Sequence, residues 1–71
     1  MSNEPIETLG DALPREIARV RAILPEYQSI PAGFFAARLI EIDLHAAEKA
    51  IAEQDIVAML TAYEALKGIK E

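Results

Sequence analysis

Residues 34–52 read FFAARLIEIDLHAAEKAIA, and how this stretch is read decides the fold. Each residue of an α-helix advances by about 100°. Leu39, Ile40, Leu44, Ala46, Ala47, Ala50 and Ile51 then share an arc of roughly 200°, with most of the charged side chains opposite. An arc that wide needs more than one neighbour to cover it, so the stretch reads as the central helix of a bundle. One acid, Asp43, falls inside the arc. A carboxylate in that position needs a partner or access to water.

Outward from this stretch, Pro31 opens the helix, with Ser29 or Ile30 at its cap, and the helix runs from 31 to 53. Gln54 and Asp55 form a short connection. Asp55 caps a third helix over 56–67, and Gly68 is placed for a left-handed C-terminal cap. These two helices make an antiparallel hairpin. The third is expected to bury Ile56, Met59, Leu60, Tyr63 and Leu66, leaving Val57, Ala58, Thr61 and Ala65 on a smooth outer surface.

Upstream, Asp11 offers an N-cap for a first helix over 12–24, with Pro14 in its first turn. Leu13, Ile17, Val20, Leu24 and Tyr27 recur at spacings of three and four and mark its inner face. Pro25 removes a helical hydrogen bond and predicts a kink or break. Residues 1–10, MSNEPIETLG, carry only Ile6 and Leu9 to bury and read as a flexible arm. The expected architecture is all-α: a small bundle of three main helices forming one domain over 11–71.

Composition agrees with that reading. The 71 residues hold no cysteine and one histidine, His45, so disulfides and cysteine-based zinc sites are excluded as supports for so small a fold. Good helix packing and oligomerisation remain, and 13 alanines favour both helix and close helix approach. Twelve acids against seven bases give a net charge of −5, which disfavours nucleic acid and anionic membrane surfaces as partners. The N-terminus is polar and acidic, unlike a targeting peptide, and no apolar run approaches the length of a bilayer span. The expected location is the cytoplasm.

Chemistry is sparse. Two serines, two threonines, one histidine and no cysteine leave no nucleophile–base pair at an identifiable spacing, and the three glycines are isolated at element boundaries. The chain reads as a non-enzyme with no cofactor. Glu41, His45 and Glu48 share a helix face at i, i+4 and i+7, a spacing on which a divalent metal is geometrically possible. Bundle metal sites draw ligands from several facing helices, however, and no second histidine exists. The simpler reading is a solvated face of i, i+3 and i, i+4 charge pairs with Arg38 and Lys49. Arg15, Arg19 and Arg21 likewise read as a solvated face beside Asp11, Glu16 and Glu26.

Asp43 has three structural explanations. It pairs with Arg15 or Arg19; it accepts a hydrogen bond from Tyr27 or Tyr63 or caps a backbone; or it faces water in a gap between helices. A functional alternative is an interface acid that receives a basic group from a partner, since charges beside apolar helical seams set register and specificity. Phe34 and Phe35 lie about 100° apart, so one ring can enter the core while the other stands near an edge that a partner can cover.

The run AAEKAIAEQDIVAMLTAYEAL, residues 46–66, resembles the turn and second helix of a tetratricopeptide-type hairpin. No period of about 34 residues accompanies it, so the likeness reflects shared hairpin packing. With ETLGDALPREIARVRAIL (7–24) and AYEALKGIKE (62–71), the chain is similar to small uncharacterised α-helical proteins of Gram-negative bacteria and their prophages, a resemblance that implies no activity, cofactor or site. The functional expectation is a protein–protein interaction module acting as a homo-oligomer, with Phe34, Phe35, Asp43, Ala58, Thr61 and Ala65 as interface candidates. The alternative is a small acidic effector that occupies a basic site on a host or phage protein.

Overall fold

The computed structural model describes residues 8–70. Three helices account for nearly all of them: α1 (Leu9–Ser29), α2 (Phe34–Glu53) and α3 (Ile56–Lys67), with a single 3₁₀ turn, Pro31–Gly33, between α1 and α2. Each helix packs on the other two, so the expected all-α bundle with an α2/α3 hairpin is the observed fold. Its core is one cluster built from Leu13 and Val20 of α1, Ile40, Leu44, Ala47 and Ala50 of α2, and Met59, Ala62 and Leu66 of α3. Leu13, Val20 and Leu66 are the largest fully buried side chains, each stabilising the fold by about 1.5–3 kcal/mol.

Helix α1 is longer at both ends than the periodicity suggests. Thr8 rather than Asp11 is the cap: its hydroxyl oxygen accepts from the Asp11 amide at 3.2 Å and donates to the Asp11 carboxylate at 3.0 Å. Asp11 thus becomes the third helical residue, where a carboxylate also favours the positive end of the helix dipole. Of the arm expected over 1–10, residues 8–10 belong to this cap and first turn, and the remainder lies outside the described residues.

Pro25 does not end the helix, which continues to Ser29. Both Pro14 and Pro25 are exposed, as are Gly10 and Arg21, whose carbonyls lose the proline's amide. Water can satisfy those carbonyls on the outer surface, while Leu13, Val20 and Ile23 stay packed on the inner one. The chain then reverses tightly. A Cβ on Gly33 would stand 2.6 Å from the Tyr27 carbonyl oxygen and 3.3 Å from the Ile30 Cβ, so only glycine fits without moving backbone.

The α2/α3 connection turns on Gln54, whose φ of 54° makes it the one described non-glycine residue in the left-handed region. Its amide caps α2 on the carbonyls of Ala50 and Ile51. Replacing Gln54 with glycine removes the Cβ penalty and is expected to raise stability by about 0.5–1 kcal/mol in urea titration. Asp55 caps α3 as expected, accepting from the Ala58 amide at 3.1 Å.

Gly68, expected to be left-handed, has φ −75° and continues the right-handed turn. That turn brings Ile69 against the core, with its amide donating to the Leu66 carbonyl at 3.0 Å. The Tyr27 hydroxyl donates to the Lys70 carbonyl, fastening this end to α1.

Helix α3 is rotated relative to the expected orientation. Met59, Ala62 and Leu66 are buried and Ala58 packs against the core, while Ile56 and Leu60 are exposed. The facing direction differs by roughly a quarter turn. Two alanines, Ala58 and Ala62, hold the inward side that bulkier residues were expected to fill, and small side chains there let the helix axes approach closely.

Candidate interaction surface

Helix α2 is apolar on two faces. Ala37, Ile40, Leu44, Ala47 and Ala50 face inward. On the outside, Phe35, Leu39, Ile42 and Ala46 are spaced by four, three and four residues and fall within an arc of roughly 60°. That arc is centred roughly 130° from the buried face. Phe35, Leu39 and Ile42 are 68, 49 and 53% exposed, and Ala46 is also exposed. Scattered exposed apolar residues are ordinary on a protein surface, whereas a continuous row along three turns of one helix is a candidate contact surface. Phe34 extends the upstream end and is 74% exposed. Neither phenylalanine enters the core, in contrast to the expectation for one of them.

The titratable side chains beside this row divide into basic and acidic flanks. On one flank stand Arg38 and His45, on the other Asp43, with Ala36 two turns before it. Asp43 is half-buried and lines a shallow depression of about 370 Å³ with Leu39, Tyr27, Ile69 and Lys70. It makes no hydrogen bond or ion pair with another described residue. Two of its expected partners, Arg19 and Tyr27, are engaged elsewhere. Arg19 bonds Glu16 at 3.0 Å and donates to the Leu66 carbonyl at 2.9 Å, tying α1 to the C-terminal end of α3. Tyr27 is spent on Lys70. Of the three structural explanations, the geometry leaves access to water. With no bond to lose, the Asp43→Ala variant is expected to unfold within about 0.5 kcal/mol of the parent at concentrations where the chain is monomeric; a loss above about 1 kcal/mol would reveal a buried partner.

The remaining charged face of α2 is solvated and in part paired. Arg38 meets Glu41 at 3.4 Å, Gln28 donates to Glu41 at 3.3 Å, and Arg21 forms an ion pair with Glu48. Glu41, His45 and Glu48 therefore do not converge, and no group of three metal-capable side chains occurs among the described residues. Nor is any described helix long and apolar enough to cross a membrane.

The candidates on α3 separate. Thr61 and Ala65 are exposed, with the Thr61 hydroxyl donating to the Val57 carbonyl at 3.0 Å. Ala58 instead packs against the core and is withdrawn from any outer surface. Ile56, Val57 and Leu60 are exposed, but they are confined to the start of the helix, and Thr61, Glu64 and Lys67 replace them further along. Ile42 is the residue of this exposed row that the wide-arc reading missed. Its signal was present as the four-three-four spacing from Phe35 to Ala46, masked because Ile40 and Leu44 complete an apolar pattern on the other side of the same helix.

No protein-family model, curated protein or solved structure matches this chain.

Proposed function

We propose that this protein is a non-catalytic assembly module of the cytoplasm that self-associates through the outer face of α2. The observation that carries this reading is the exposed row of Phe35, Leu39, Ile42 and Ala46. It has the spacing of a coiled-coil seam, and α1 and α3 leave it uncovered. In a domain this small, burying such a row between two copies also supplies apolar contact that a thin core lacks. Pairing of Glu16, Glu41 and Glu48 with Arg19, Arg38 and Arg21 weighs against an acidic effector, which needs its acids gathered and unpaired.

Size-exclusion chromatography with light scattering across a concentration series tests the proposal. A mass rising to that of two chains or more is the expected result. A strict monomer at high micromolar concentration removes self-association.

A further inference from the structure

We propose that two copies pair with their α2 helices parallel, and that the Arg38 of each copy faces the Asp43 of the other across the seam. This inference rests on the self-association reading and adds orientation and specificity to it. In a parallel pair of helices, a side chain on one flank of the seam faces the partner's opposite flank five residues further along, where ion pairs set partner choice and orientation. Arg38 and Asp43 are separated by that interval and lie on opposite flanks, each about 70° from the centre of the row.

Both groups have capacity to spare. Asp43 bonds to no described residue, and Lys70 lines the same depression without forming an ion pair with it. Arg38 is held only by one exposed contact of 3.4 Å to Glu41. An antiparallel pairing would bring each flank against its own kind, Arg38 near His45 and Asp43 near Ala36, with no opposite charges to meet. The seam ends where Lys49 and Glu53 take over its positions, a length of about 16 Å from Phe35 to Ala46 at 1.5 Å per residue.

Charge reversal and cross-linking test orientation separately from association. Asp43→Arg and Arg38→Asp are each expected to weaken the dimer by about tenfold, because two symmetry-related contacts turn from attraction to repulsion. The double variant carrying both changes is expected to recover parental affinity. The chain has no cysteine, so Ala46→Cys introduces a single thiol. In a parallel dimer this position faces itself and is expected to form a disulfide-linked dimer under mild oxidation.

If Ala46→Cys fails to cross-link to itself but cross-links to Phe35→Cys in a mixture, the helices are antiparallel and the inference is overturned while self-association stands. Unchanged affinity in both single charge variants overturns the Arg38–Asp43 contact. A parent protein that remains monomeric in light scattering defeats the underlying reading instead.

Discussion

Replacing Ile42 with aspartate is expected to dissociate the assembly, raising the dissociation constant by about two orders of magnitude without lowering the melting temperature of the monomer. Ile42 is 53% exposed and occupies the middle of the row, pointing away from Ile40 and Leu44. Within one chain, therefore, the substitution removes an exposed apolar side chain and costs no core contact. Between two chains it removes one isoleucine from each side of the seam. At about 1.5 kcal/mol per lost side chain, the pair amounts to roughly 3 kcal/mol, and each 1.4 kcal/mol is a factor of ten. Sedimentation or light scattering reads the loss, and circular dichroism checks that helix content is unchanged.

The same experiment separates the two exposed apolar surfaces. Val57→Asp places a charge on the cluster at the start of α3, formed with Ile56 and Leu60, and is expected to leave the oligomer intact. The opposite pattern, dissociation by Val57→Asp and none by Ile42→Asp, would move the interface to α3. Helix α2 is preferred because its row persists over three turns, whereas the α3 cluster gives way to Thr61 and Glu64 after one.

The bundle itself was legible in the sequence because local signals agreed with one another. The inner positions Leu13, Val20, Leu44 and Leu66, the Asp55 cap and the short α2/α3 connection follow from spacing and capping chemistry, and all are found in the structure. What escaped sequence reading depended on partners distant along the chain or on competing local solutions. Thr8 displaced Asp11 as cap because the two side chains satisfy each other. Pro25 left α1 unbroken because its lost hydrogen bond falls on the solvent side. Gln54 took a left-handed conformation that sequence statistics reserve for glycine, while Gly68 did not use it, because Ile69 had to return to the core. Arg19 spans 47 positions in sequence to reach the Leu66 carbonyl, a contact no helical wheel contains. Phe34 and Phe35 were visible as bulk, but their joint exclusion from the core required the position of α1.

The orientation of α3 gives the second large expected effect, a reversal of the usual ranking between a leucine and an alanine. Ala62→Leu is expected to destabilise the fold by about 1–3 kcal/mol, because three extra carbons must enter a site that is 7% exposed and belongs to the core cluster. Leu60→Ala, although it deletes a large apolar side chain, is expected to cost less than about 1 kcal/mol because Leu60 is 53% exposed. A wheel drawn from hydrophobicity alone predicts the opposite. It centres the buried face on Ile56, Leu60 and Tyr63, since α3 is apolar almost all round and its largest residues dominate any average. Packing decides otherwise. Ala47 and Ala50 of α2 lie in the same cluster as Ala62, and small side chains on facing helices allow close backbone approach, whose dispersion contacts accumulate along the whole interface. Urea denaturation of the two variants measures the difference directly. A greater loss from Leu60→Ala than from Ala62→Leu would restore the wheel's orientation and turn Ala62 outward.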